Sequence, residues 1–221
     1  MTAEELINPL IPALKPSDTV QRALAWMEEF AIRQLPVVQD RRYLGMVSEA
    51  MLMDGNQPEA LIGSVELIAE KAYVGYFQHF YEVIRIAIDN GVHTVAVLDE
   101  DQLYAGVVTV NDTLAAFAQS YAVQRRGGIL VLALTERDYS LSEISRLIES
   151  NDMKVLSAFV TYDEQDANRL RLTLKLNQTD ISHATATLER FGYHIVAQFH
   201  ENEAQDSERE RLDILLKYLN I

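Results

Sequence analysis

Residues 19–48 and residues 79–109 of this chain carry the same pattern, sixty residues apart. Val20, Ala23, Leu24, Ile32, Leu35, Val37 and Gly45 stand opposite Phe80, Val83, Ile84, Val92, Val95, Val97 and Gly106, with one residue inserted before the second glycine. A unit this short cannot enclose a core alone, so each copy must bury its apolar face against the other. The duplication predicts one module with approximate twofold symmetry and two clefts between its halves.

Within the first copy, apolar residues at 20, 23, 24 and 27 follow the i, i+3, i+4, i+7 rule, which predicts a helix over 19–34 capped by Asp18 or Ser17. A strand at 35–38, a turn QDRR and a strand at 43–47 follow. The second copy repeats this order as a helix over 80–90, a strand at 94–98, an acidic turn, a strand at 103–109 and a helix over 112–119.

The pattern changes after Gln124-Arg125-Arg126-Gly127-Gly128, where two glycines read as a flexible boundary. Strands are expected at 129–134, 155–162 and 193–199, and Leu170, Leu172, Leu174 and Leu176 alternate with polar residues as a half-buried strand does. Two helices lie between them. One turns Leu141, Ile144, Leu147 and Ile148 inward behind a cap at Ser140 or Asp138. The other, capped by Asp180 and ended by Gly192, turns in Ile181, Ala184, Leu188 and Phe191. The order is βαββαβ. Beyond it, an acidic stretch leads to Leu212, Leu215, Leu216 and Leu219 on one face of a last helix.

Composition excludes several function classes. The net charge is −14, from 19 Lys and Arg against 33 Asp and Glu, and no basic stripe is present to displace the counterions of a nucleic acid. No apolar run is long enough to cross a membrane, and the three prolines of the acidic first eighteen residues are unlike a signal peptide, so a cytoplasmic protein is expected. With no cysteine, thiolate metal sites are impossible. The five histidines show no metal-ligand spacing beyond a loose pair at 194 and 200. No glycine-rich phosphate loop, Gly-x-Ser-x-Gly elbow or His-Glu-x-x-His motif occurs, and no catalytic activity, metal or resident cofactor is expected.

Pro16-Ser17-Asp18-Thr19-Val20, Ala23-Leu24, Met27, Leu35-Pro36-Val37-Val38 and Gly45-Met46-Val47-Ser48, with Val95-Ala96-Val97-Leu98 and Gly106-Val107-Val108-Thr109-Val110-Asn111-Asp112 in the second copy, resemble the cystathionine-β-synthase (CBS) domain pair. The resemblance covers roughly residues 5–120. It implies βαββα-type repeats and a regulatory adenosine-containing ligand, AMP, ADP, ATP or S-adenosylmethionine, held in the clefts. The implied ligand-binding set is Thr109, Asp112, Ser48, Pro36, Val37 and Val97. In the Thr-x-x-Asp junction the hydroxyl sits at the strand's end, and the carboxylate, one helical turn later, returns to the same side where it can accept from ribose hydroxyls. The first copy has Ser48 and Met51 there, and a thioether cannot replace the carboxylate. Thr-x-x-Asp is equally an ordinary helix cap, and that alternative stays open. Lys15, Arg41, Arg42 and His93 are the scattered cations available to a phosphate, so a monophosphate or adenosyl compound suits this acidic chain better than a triphosphate.

The βαββαβ order, with Leu141-x-x-Ile144 and Phe191-Gly192-Tyr193, resembles the ferredoxin-like ACT domain over about residues 128–199. That family implies edge-to-edge pairing and an amino-acid site in the loop Glu136-Arg137-Asp138-Tyr139-Ser140-Leu141, where Tyr139 replaces the glycine that admits the ligand. The expected organisation is α/β (α+β): CBS repeats at 1–60 and 61–126, an ACT-like domain at 127–200, and an acidic segment with a helix at 201–221. The combination is similar to regulators of the acetoin utilisation family. It implies a non-catalytic, homodimeric ligand sensor acting on a protein the sequence does not identify, with no nucleic-acid or membrane partner. The competing expectation is a ligand-free dimerisation adaptor whose sites have decayed, as Met51 and Tyr139 suggest.

Overall fold

A computed structural model describes residues 1–163, 166 and 168–200. The mixed α/β chain divides into two compact units, residues 1–118 and 119–221.

In the first unit, helix α1 (Val20–Glu29) leads into the antiparallel hairpin β1 (Gln34–Gln39) and β2 (Arg42–Ser48), followed by α2 (Glu49–Gly55). The second copy gives β3 (Tyr73–Gly75), α3 (Phe80–Asn90), β4 (Thr94–Leu98), β5 (Tyr104–Thr109) and α4 (Val110–Ala118). The likeness extends to irregularities. Each hairpin has a bulge at the same place, between Val37 and Val38 and between Val97 and Leu98. Leu14 bridges in parallel to Val37 as Val74 does to Val97.

The copies are joined by exchange of their leading segments. Asn8 N–H donates to Val107 of the second copy (2.8 Å), and Ile68 N–H, sixty residues on, donates to Met46 of the first (2.9 Å). Ala3 and Ile7 accordingly pack into the core around Val83, Val95 and Val97, while Ile62 enters the core around Val20, Ala23, Met27 and Leu35. Each core is completed by residues that precede the other copy, which is why neither half can fold alone.

Two local expectations change. The first helix ends at Glu29, five residues short of Gln34, because Ala31 adopts a left-handed conformation (φ 51°) that stops it. Its cap is Thr19, whose side chain accepts from Arg22 N–H, whereas Asp18 accepts from Lys15 N–H and pairs with Arg22.

The second unit opens with a short helix α5 (Tyr121–Gln124) and continues as β6 (Ile129–Thr135), α6 (Leu141–Glu149), β7 (Val155–Tyr162), β8 (Arg169–Leu176), α7 (Ser182–Arg190) and β9 (His194–Phe199). The sheet order β7-β8-β6-β9, antiparallel throughout, is the ferredoxin-like arrangement. Leu170, Leu172, Leu174 and Leu176 are buried with Leu130 and Leu132 against Ile144, Leu147, Ile148, Ala184 and Leu188. Leu141 and Phe191, expected inside, are 38% and 51% exposed, because both sit at helix ends beyond the packed turns. Asp180 accepts from Ser182 N–H and Oγ one position ahead of the helix cap at Ile181. Gly127 and Gly128 are packing positions and not a free hinge. A Cβ on Gly127 would lie 1.8 Å from Leu176 O and one on Gly128 2.5 Å from Ile181 Cγ2, while Gly128 exchanges backbone hydrogen bonds with Gln178 and Leu176. The helix expected on Leu212, Leu215, Leu216 and Leu219 lies outside the described residues.

Candidate functional site

The junction of β5 and α4 builds a reciprocal cap. Asp112 N–H donates to Thr109 Oγ1 (3.0 Å), and Asp112 Oδ2 accepts from Thr109 N–H (2.9 Å) and from Thr109 Oγ1 (2.6 Å). The helix-cap role left open by the sequence is therefore real. The other oxygen, Oδ1, accepts from Asn8 Nδ2 at 3.2 Å, across 104 residues of sequence. Asn8 is brought there by its backbone bond to Val107, and its own Oδ1 accepts from Leu10 N–H (3.1 Å), which turns the amide group toward Asp112.

These residues form one wall of a cleft of about 740 Å³ in the first unit. Glu29, Phe30, Ala31, Ile32 and Arg33, from the α1–β1 connection, form another, and His93 and Thr94 close it. The connections are held in place by equivalent bonds: Glu49 N–H donates to Arg33 O and Val110 N–H to His93 O, both at 2.9 Å. Buried Gln34 accepts from His93 N–H through Oε1 (2.8 Å), tying one copy to the other beside the cleft. The cleft thus combines an apolar surface of Ile11, Phe30 and Ile32, cationic Arg33, the imidazole of His93, and the carboxylates of Glu29 and Asp112.

Of the expected ligand-binding residues, Thr109 and Asp112 line this cleft together. Ser48 stands at the matching junction of the first copy, where its Oγ accepts from Met51 N–H (3.4 Å). Pro36, Val37 and Val97 are buried within their strands. Among the expected cations His93 reaches the cleft, while Lys15 and Arg41 line a separate hollow of about 560 Å³ with Tyr104. Arg33 and Asn8 were not anticipated. Arg33 had a signal, since the repeat aligns it with His93; Asn8 lies ahead of the repeat and had none.

Residues 3–55 match the family model of the CBS domain. The first copy is a CBS domain. Because the second copy repeats its element order, bulge and leading-segment contacts, the first unit is a CBS domain pair. Similar solved structures include a CBS domain pair/ACT domain protein from Thermotoga maritima, with 19% identity and a TM-score of 0.48 over 55% of this chain and 99% of that one. The cytosolic domain of the Mg²⁺ channel MgtE in complex with ATP shares 26% identity, with a TM-score of 0.44 over 52% of this chain and 48% of that one. CBSX2 in complex with AMP shares 20%, with a TM-score of 0.45 over 53% of this chain and 96% of that one.

In the second unit the loop after β6 borders a cavity of about 830 Å³ lined by Arg137, Asp138, Ser140, Glu143, Arg169 and Tyr193, among others. Asp138 is engaged by Thr135, whose hydroxyl donates to it at 2.6 Å. No cluster of three or more potential metal ligands occurs among the described residues, and no described helix is long and apolar enough to cross a membrane.

Proposed function

We propose that this chain is a non-catalytic cytoplasmic regulator whose CBS pair binds one adenosine-containing ligand, AMP, ADP, ATP or S-adenosylmethionine, in the Asn8–Asp112 cleft. The observation that carries this reading is the cleft's division of labour: a carboxylate at one end, an apolar and aromatic wall along Phe30 and Ile32, and Arg33 with His93 where an anionic group would rest. Its volume of about 740 Å³ lies in the range of small-molecule sites. With Glu29 and Asp112 offsetting Arg33, the cleft favours a monophosphate or an adenosyl cation over a triphosphate. Ligand binding would act by favouring one arrangement of the pair, with the ACT-like unit and a regulated protein as readers of that change. A homodimer follows from the same reading, since Tyr81, Ile88, Leu114 and Phe117 on α3 and α4 are exposed apolar side chains that self-association would cover.

The test is thermal unfolding with AMP, ADP, ATP, S-adenosylmethionine and free amino acids, on the native protein and on Asp112→Ala and Arg33→Ala. A ligand at one hundred times its dissociation constant stabilises the native state by about 2.7 kcal/mol, a shift of a few degrees. Each variant is compared with its own ligand-free midpoint, because Asp112→Ala also removes half of a reciprocal cap. An adenosyl-specific shift lost in both variants supports the sensor. No shift with any compound turns the reading to a ligand-free adaptor.

A further inference from the structure

We infer that the open face of the sheet in the second unit is the docking site of the chain's own residues 201–221, the acidic stretch passing Lys175 and the four leucines beyond it covering Val131 and Phe159. Helices α6 and α7 pack against one face only, on Leu130, Leu132, Leu172 and Leu174. On the opposite face the register sets Lys175, Ile129 and Phe199 in one row across β8, β6 and β9, and Phe159, Thr173, Val131 and Ala197 in the next. A solvated face of an antiparallel sheet carries polar residues, and β8 obeys this with Arg171, Thr173 and Lys175. Strand β6 does not: Ile129, Val131 and Ala133 make it apolar on both sides, as in a strand covered on both. With Phe159 and Phe199 56% and 59% exposed beside it, this is an apolar surface that another segment covers.

Reach, shape and charge name the occupant. Phe199 ends β9 in the Lys175 row, so the chain leaves the sheet at the edge of this face. Residues 200–211 span about 40 Å when extended, against about 14 Å across four strands, so Leu212 of the same chain can stand anywhere on it. Leu212, Leu215, Leu216 and Leu219 share the i, i+3, i+4, i+7 spacing, and a helix over 211–221 would be about 16 Å long, close to the width of the sheet. Residues 201–210 hold Glu201, Glu203, Asp206, Glu208 and Glu210 against the single cation Arg209. Lys175 is the charge they would meet. Its Nζ donates to the neutral Gly127 O (2.7 Å), and no carboxylate among the described residues pairs with it, whereas Arg171 on the same strand is paired with Asp163 at 2.8 Å. A second copy laid face to face would instead bring the Lys175 and Arg171 of one chain toward the same cations of the other, which disfavours it as the cover.

The test uses the full chain, which has no cysteine, so each introduced thiol reports one position. Thr173→Cys, at the centre of the open face, should react with a thiol reagent about tenfold more slowly in the native background than in a Leu212→Asp, Leu216→Asp background that cannot dock. Ala184→Cys, buried on the opposite face, should stay protected in both backgrounds and shows that the unit remains folded. In an otherwise native chain, the pair Thr173→Cys and Leu216→Cys should oxidise to a disulfide within one chain, which runs as a monomer in denaturing electrophoresis. Equal labelling of Thr173→Cys in the two backgrounds overturns the inference. A disulfide formed only between chains also overturns it and makes the cover a second copy.

Discussion

The two CBS copies share a backbone and differ in chemistry, and the differences fall where the fold does not dictate the residue. Buried strand positions are matched: Val37 with Val97, Val47 with Val108, Leu35 with Val95. At the clefts they diverge, with Thr109 and Asp112 against Ser48 and Met51, and Asn8 against Ile68. A duplicated scaffold keeps its packing and can let one of two equivalent sites become apolar, since the residues that complete each core, Ile62 and Val107 in one and Ala3 and Ile7 in the other, are not the ones that differ at the clefts.

The most disruptive way to test that exchange is through the glycines that receive the leading segments. A Cβ on Gly45 would meet Ile68 O and Leu67 Cβ at 3.0 Å, at a φ of +151° that side chains rarely adopt. A Cβ on Gly106 would lie 2.5 Å from the Ile7 Cγ2 methyl, with no backbone atom among its near contacts. Gly45→Ala should therefore destabilise by about 3 kcal/mol and Gly106→Ala by about 1–2 kcal/mol in chemical denaturation. Truncating Ile7 separates the cases. Gly106→Ala in an Ile7→Ala background should recover about 1 kcal/mol, while the matching Leu67→Ala leaves Gly45→Ala as costly, because a backbone carbonyl still blocks it.

A second matched pair is Tyr43 and Tyr104, at equivalent points after the two bulges. Burial raises both phenols above their ordinary range, and Tyr43 is raised further by neighbouring Tyr104 and Glu70. A folded-state pKa above the unfolded value means stability that is complete below pH 10 and declines as pH rises beyond it. Each of these half-buried tyrosines should contribute up to about 1.4 kcal/mol of loss per pH unit there. Tyr43→Phe and Tyr104→Phe should each remove one share of the alkaline slope of the unfolding free energy, and the double variant both. Tyr43→Phe should also cost about 1 kcal/mol at neutral pH, since its hydroxyl donates to Ala69 O at 2.7 Å. Equal slopes in all four proteins would show that neither phenol is held neutral by the fold.

What could be read from the chain beforehand follows the same division. The apolar pattern located α3 and β4 to the residue and β8 through its four alternating leucines, because apolar spacing reports burial directly, whereas β7, whose residues are all partly or fully exposed, was placed by its β-branched and aromatic content. It failed at helix ends such as Leu141 and Phe191, where an apolar residue continues the spacing after the neighbouring element has ended. Thr109 and Asp112 were visible because a cap and a sugar site share one local spacing. Asn8 was not, since its role depends on a leading segment crossing to the other copy, and nothing in residues 1–8 repeats or alternates to announce that. The Gly127-Gly128 pair misled for a related reason: glycine signals both freedom and close approach, and only tertiary contacts separate the two.

The smallest expected effect comes from the turn that the first copy hides. Ala31 and Gly91 end α1 and α3 in the same way, each in a left-handed conformation (φ 51° and 63°) and each followed by a residue whose N–H reaches back, Ile32 to Met27 and Val92 to Ala87. An L side chain in this conformation costs about 1–2 kcal/mol, and glycine avoids that at the expense of about 0.5–1 kcal/mol of unfolded-state entropy. Ala31→Gly should thus stabilise by about 0.5–1 kcal/mol and Gly91→Ala destabilise by a similar amount, the double exchange returning near the starting midpoint. Open space around Gly91, with nothing within 4 Å of an added Cβ, makes the second substitution a pure backbone measurement. Ala31 also lines the cleft, so a gain in stability accompanied by weaker nucleotide binding would show that its conformation is retained for the ligand. A gain with binding unchanged would leave the alanine as a difference between the copies that serves neither fold nor site.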